Sequence, residues 1–428
     1  MNIASIHQKF LESTGVCTDS RKIFKNCLFF ALKGENFNGN LYAEDAIQKG
    51  ALYAIVDDES ANTSQKTILC KDVLSTLQEL ATYHRKYLSL PILALTGSNG
   101  KTTTKELIHA VLSEKFNCTA TQGNLNNHIG VPLTLLSMNE DTEIGIVEMG
   151  ANHLGEIQLL ANIAQPNYGY ITNFGKAHLE GFGSIEGVIQ GKSELYKFLS
   201  DSAGKVFVNG ADPKQMELTK DLQRIVFNLP NQESSVSLEN TENALSISFR
   251  DTLIQTHLTG IYNFSNIAAA VAIGNYFNVP KEAIKKALEH YIPQMNRSQI
   301  ITKGERKIIL DAYNANPTSM KAALDSFLKA KETPKILILG DMFELGNATE
   351  KEHQNITDSL KDENIYKAFL VGEHFHKTIH NHPSIVSFPS FEKFTEAISK
   401  NPLPEKGFFL IKGSRGMALE RILQFFDS

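Results

Sequence analysis

The chain has 428 residues, 42% of them hydrophobic, enough for two to four domains each with its own core. A formal net charge of −5, with both signs scattered, lacks the basic footprint that duplex DNA or RNA demands, so no nucleic-acid partner is expected. The cysteines Cys17, Cys27, Cys70 and Cys118 form no CxxC pair and read as thiols of a reducing compartment, which excludes a disulfide frame and argues against a zinc site.

The opening MNIASIHQKFLEST lacks a basic start followed by an apolar stretch, and no apolar run reaches about 18 residues anywhere. A cytoplasmic protein with no membrane span is therefore expected. Residues 1–88 carry short strands at 27–32 and 53–56 and a helical pattern at 71–88, and form a first, small α/β unit.

A second unit, 89–296, alternates apolar strands (92–95, 144–148, 168–172, 205–208) with helical stretches, the order of a mostly parallel sheet covered by helices. Alternation at Leu245, Ile247, Phe249, Ile254, Thr256 and Leu258 predicts an antiparallel hairpin appended to it, followed by a helix at 265–277. A third unit, 297–428, repeats the α/β order, with strands at 307–311, 335–339, 368–371 and 407–411 and helices around 318–330, 350–361 and 391–400. This is a Rossmann-like doubly wound pattern, whose ligands would sit beyond the carboxyl ends of the strands.

The most informative stretch is PILALTGSNGKTTTKELIHAVL, 91–112. An apolar strand breaks into Gly97-Ser98-Asn99-Gly100, and Lys101, Thr102 and Thr103 open a helix whose apolar face falls at Leu107, Ile108, Val111 and Leu112. Such a turn aims backbone N–H groups and a helix N-terminus at one spot, where a polyphosphate fits. The lysine supplies a point charge and the threonine hydroxyl a ligand for Mg²⁺. The usual loop has four residues between its glycines; this one has two, Ser98 and Asn99.

Other strand ends add polar groups. Glu148, closing the apolar run 144–147, suits a hard cation beside a phosphate loop, against the alternative of a solvated loop glutamate. The amide-rich segment 123–130, with Asn126 and Asn127, and then Asn152, are candidates to line a substrate channel. His178 follows the strand at 168–172, although a lone histidine is more often structural. On its residues alone Lys192 reads as a surface lysine. Asn263 and Asn266 read either as a turn and helix cap or as partners for the donor–acceptor edge of a base.

Together these segments resemble the Mur ligases over essentially the whole chain. The anchors are TDSRKI (18–23), FFALKG with FNGN (29–40), TGSNGKTTTKE (96–106), GNLNNHIGVP (123–132), EMGANHLGEI (148–157) and AHLEGFGS (177–184), with KSE (192–194), YNFSN (262–266), DAYNANPTSM (311–320), GDMFELG (340–346) and KGSR (412–415). The short phosphate loop is the form that family uses. The resemblance implies a three-domain architecture: an N-terminal domain for a UDP-sugar, a central P-loop ATPase-type domain and a C-terminal Rossmann-like ligase domain.

It also implies roles. Gly97 to Thr103 would hold ATP, with Lys101, His178 and Lys192 catalytic. Thr102 and Glu148 would hold one Mg²⁺, while His178 and a Lys192 carbamylated by CO₂ would hold a second. Asn263 and Asn266 would meet adenine, and Arg297 and Asp311 phosphate and ribose. Ser20, Arg21 and Asn38 would contact the UDP-sugar, and Asn126, Asn127, Asn152, Tyr313, Asn314 and Asn316 the peptide substrates. The implied reaction joins D-alanyl-D-alanine to UDP-N-acetylmuramoyl-tripeptide at the expense of ATP, in a monomer. Two rivals remain: another ligase of the same build with a different amine, and a nucleotide-binding regulator that forms no bond.

Overall fold

The computed structural model describes residues 2–229, 235–241, 244–294, 296–361 and 363–426. Three parallel α/β layers follow one another along the chain. The first is a four-stranded sheet in the order Val16–Cys17, Leu28–Phe30, Tyr53–Val56, Thr67–Leu69, all parallel. The helix Val73–Leu88 leads out of it, capped by the Asp72 side chain accepting from the Ser75 N–H.

The second sheet has six parallel strands, ordered Arg224–Phe227, Lys205–Asn209, Tyr168–Ile171, Ile92–Thr96, Ile144–Glu148, Cys118–Ala120. Ile92–Thr96 lies inside it and is buried on both faces, as its unbroken apolar run requires. The helix Lys101–Ser113 packs Leu107, Ile108, Val111 and Leu112 into a core shared with the alanine-rich helix Phe264–Tyr276. Each such fully buried side chain contributes about 1.5–3 kcal/mol. The predicted hairpin is present as Ser246–Phe249 and Thr252–Gln255, joined by Val236–Asn240 into a separate antiparallel sheet.

The third sheet runs Gln299–Lys303, Glu305–Asp311, Lys406–Lys412, Lys335–Gly340, Lys367–Val371, Ile385–Phe388; only the first strand is antiparallel to its neighbour. Among the described residues no helix is long and apolar enough to cross a membrane.

The first two layers are joined by a buried histidine pair. His84 Nε2 donates to the Met138 carbonyl at 2.9 Å, which leaves its Nδ1 to accept from His7 Nε2 at 3.0 Å. Burial holds both rings below the usual histidine range, so this relay of neutral tautomers persists at pH 7.

Candidate active site

The turn after Ile92–Thr96 is shaped by two glycines. Gly97 adopts φ +142°, and a Cβ there would sit 2.0 Å from Thr172 Oγ1; Gly100 adopts φ +77°, and a Cβ would meet Asn266 Oδ1 at 2.7 Å. Only glycine fits either position. The loop is braced by Asn173, whose Oδ1 accepts from the Asn99 N–H at 3.1 Å, and by Thr172 Oγ1 donating to the Asn99 carbonyl at 2.6 Å. Lys101 folds back so that Nζ donates to the Gly97 carbonyl at 2.8 Å. Burial pulls its ammonium below the ordinary lysine range, with Glu148 and Glu344 pulling the other way.

This loop forms one wall of a cavity of about 740 Å³. Ser98, Asn99, Gly100, Lys101, Thr102 and Thr103 line it, as do Asn126, Asn127, Glu148, Asn152, His178, Asn263 and Asn266. The facing wall comes from the third sheet and carries Arg297, Asp311, Tyr313, Asn314, Asn316 and Glu344. Candidates separated by some 200 residues of chain are thus brought together.

The residues at the loop fit an oxygen-seeking cation. Thr102 Oγ1 lies 3.3 Å from Glu148 Oε1, which also accepts from Asn126 Nδ2 at 2.8 Å, while Glu148 Oε2 is buried without a partner. Among the described residues no three His, Cys, Asp or Glu side chains cluster as a metal cage. Thr102 and Glu148 could therefore hold a hard cation only with oxygen ligands from elsewhere, such as a phosphate. Arg297 stacks its guanidinium 3.7 Å from the Tyr313 ring centroid and keeps a buried Nε unpaired, a donor suited to an anion.

One expectation needs correction, and several candidates have partners of their own. Lys192 is no surface lysine: it is 0% exposed, does not line the cavity, and donates from Nζ to the carbonyl of Ala151, which does. Burial, reinforced by the charge of Lys101, pushes its amine well below the lysine range and so favours the neutral form. Asn263 and Asn266 present no free edge. Asn263 Nδ2 donates to the Thr259 carbonyl, its Oδ1 accepts from Asn266 Nδ2, and Asn266 Oδ1 accepts from Thr104. They buttress the phosphate loop, and a base would meet only their remaining capacity.

Asp311 is likewise engaged. Oδ2 pairs with Lys412 at 2.5 Å and Oδ1 accepts from the Ser298 N–H at 3.2 Å. Asn316 caps the helix Pro317–Lys329 through Oδ1 and donates from Nδ2 to Asn99 Oδ1 at 2.7 Å, so it ties the two walls together. Asn127 is a local cap for the N–H groups of Ile129 and Gly130. Ser20, Arg21 and Asn38 lie in the first layer, outside the cavity. Arg21 is held by Asp19 through two hydrogen bonds of 2.9 Å, a pairing that draws the Asp19 carboxyl down to about 2. Asn38 bonds Asn40. A diphosphate arriving there has to exchange with these contacts.

The sequence reasoning missed Glu344 and Lys412 as site residues, although the motifs GDMFELG and KGSR contain them. Both line the cavity. Glu344 Oε2 stands 2.6 Å from His178 Nδ1, close enough for an ion pair but without the alignment of a hydrogen bond. The segment around His178 is clasped by the third unit. The Lys176 N–H donates to Thr318 Oγ1 at 2.9 Å, Lys176 Nζ pairs with Glu352 at 2.6 Å, and the Glu180 N–H donates to the Glu344 carbonyl at 3.1 Å.

A glycine turn of phosphate-loop form facing a second α/β layer across one cavity is the build of a nucleotide-dependent enzyme. The Mur ligase middle domain matches residues 95–274, the Mur ligase, glutamate ligase domain residues 296–415, and the Mur ligase family, catalytic domain residues 12–87. UDP-N-acetylmuramoyl-tripeptide–D-alanyl-D-alanine ligase of Bacillus subtilis is 35% identical, over 96% of this chain and 92% of the relative. The Escherichia coli enzyme of the same description is 32% identical, over 96% and 92%. A crystal structure of MurF from Acinetobacter baumannii superposes with a TM-score of 0.87 at 29% identity, covering 98% of each chain. The chain belongs to the Mur ligase family.

Proposed function

We propose that this protein is an ATP-dependent carboxylate–amine ligase that joins D-alanyl-D-alanine to UDP-N-acetylmuramoyl-tripeptide in peptidoglycan precursor synthesis. The observation that carries this is the single cavity walled by the phosphate loop on one side and by Arg297, Tyr313 and Glu344 on the other. It stands beside full-length similarity to ligases of that description. One chain supplies every wall, so a monomer suffices, and we place it in the cytoplasm with its nucleotide substrates.

A carboxylate does not acylate an amine in water, because an oxide is a poor leaving group. Transfer of the γ-phosphoryl group to the tripeptide carboxylate gives an acyl phosphate and ADP. The dipeptide amine then bonds to the acyl carbon, the C–O bond to phosphate breaks, and the amine protons pass to solvent. The loop amides, Lys101 and Arg297 stabilise charge on the phosphoryl oxygens. Thr102 and Glu148 would hold one Mg²⁺, and His178 with a carbamylated Lys192 a second; the ions would supply positive charge to the phosphoryl and acyl oxygens. Orienting the reactants contributes on the order of 7–11 kcal/mol. Docking of the third unit keeps water from the acyl phosphate.

For Lys192 to serve as a ligand it must first become an anion. A neutral amine is the form that attacks CO₂, and burial favours it; the N–C bond forms, one amine proton leaves, and a carbamate, an oxygen-bearing side chain, results. Lys192→Ala should lose activity and regain part of it with small carboxylates; a free amine remote from metal in a metal-loaded crystal would sink the assignment. The function itself is tested by phosphate release with ATP, the uridine-linked tripeptide and a panel of amines. Release that depends on D-alanyl-D-alanine supports it. Preference for glutamate or another single amino acid transfers the chain to a sibling activity, and amine-independent binding of ATP alone favours a regulator.

A further inference from the structure

Four carboxylates line the cavity, and three have structural partners. Glu148 serves Thr102 and Asn126, Asp311 serves Lys412 and Ser298, and Glu156 accepts from the N–H groups of Asn152 and His153. The fourth, Glu344, meets His178 alone among the described residues, with Oε2 only. Its side chain is 49% exposed.

Two of the non-glycine residues with positive φ meet at the same spot. Glu344 takes φ +62° and His178 φ +53°, so two non-glycine residues in the left-handed region face each other across the seam. Such conformations persist where the surroundings hold them, and they gather at working sites. The Glu180 N–H to Glu344 carbonyl bond supplies that hold.

The charges around the cavity give the position its meaning. Lys101 and Arg297 suit a polyphosphate but repel an ammonium ion. Glu344 sits on the wall opposite the phosphate loop, where it can receive a nucleophile directed at an acyl phosphate formed at that loop.

We infer that Glu344 is the anionic anchor for the ammonium group of the incoming amine substrate, exchanging its contact with His178 for the N–H donors of that substrate. This rests on the ligase activity proposed above and adds to it the residue that receives the amine.

Glu344→Gln keeps the shape and removes the charge. The KM for D-alanyl-D-alanine should rise about 10- to 100-fold, as expected for loss of a charge-assisted hydrogen bond, with the KM for ATP and for the tripeptide within about twofold. Hydroxylamine, uncharged at neutral pH, traps an acyl phosphate as hydroxamate without needing an anion, so its yield with ATP and tripeptide should be unchanged in the variant. Glu344→Asp should recover part of the dipeptide affinity. An unchanged dipeptide KM overturns the inference. Hydroxamate formation falling in parallel also overturns it, because Glu344 would then act on His178 or on closure. If the wild-type chain makes hydroxamate but uses another amine, the substrate assignment fails by itself, and the same split is read with the amine it accepts.

Discussion

The two six-stranded sheets end over one cavity but build their walls from different material. The middle sheet uses backbone: Gly97 and Gly100 bring main-chain amides to a point, and neighbouring side chains such as Asn173 and Asn266 serve mainly to brace that turn. The third sheet uses side chains, with Arg297 laid on Tyr313, Asp311 paired with Lys412, and Glu344 reaching His178. A wall of amides suits phosphate, which every ligase of this build must bind. A wall of side chains can be altered residue by residue, which suits the part of the site where the amine differs.

The largest effect should come from the wall of side chains, on stability. Lys412 is 2% exposed, and its partner carboxylate is on a neighbouring strand. Asp311→Ala leaves that ammonium buried and unpaired, a loss of about 3–5 kcal/mol in urea unfolding. Removing both charges, as Asp311→Ala with Lys412→Met, should recover most of it. A single variant as stable as the parent would show that the pair does not hold this wall.

In the wall of amides the expected effect is on rate with little on the fold. Among the described residues Lys101 hydrogen-bonds the Gly97 carbonyl alone, and burial already disfavours its charge. Lys101→Ala should therefore leave the circular dichroism and unfolding midpoint near the parent values while kcat falls about 100- to 1,000-fold, the scale for loss of one preorganised donor. Unimpaired turnover would remove Lys101 from the mechanism.

This division also explains what was legible in the sequence. Buried parallel strands announce themselves as apolar runs, so 53–56, 144–148 and the helix 391–400 appear with the bounds expected for them. Among the strands that escaped notice, Cys118–Ala120, Gln299–Lys303 and Ile385–Phe388 are edge strands, short or half-exposed, whose pattern is weak. The glycine turn was visible because its mechanics depend on adjacent residues. Asp311 with Lys412, His178 with Glu344 and Asn99 with Asn316 pair residues more than 100 positions apart, and no local spacing encodes them. The burial of Lys192 was hidden for the same reason. A helix shows which face is apolar, but Lys192 on Ile185–Asp201 is covered by the distant Ala151 segment.

The smallest effect belongs to the bond that crosses between the walls. Asn316 does two jobs, capping its helix through Oδ1 and holding Asn99 through Nδ2. Serine caps helices about as well as asparagine, but its shorter side chain does not reach Asn99. Asn316→Ser thus separates the jobs: stability should stay within about 0.5 kcal/mol of the parent. The affinity for ATP should drop only a few-fold, matching one hydrogen bond of about 0.5–1.5 kcal/mol. If the loop keeps its conformation without that tie, nucleotide binding measured by calorimetry will not change, and the walls are then independent; a loss well above tenfold would instead make Asn316 a direct ligand of the nucleotide.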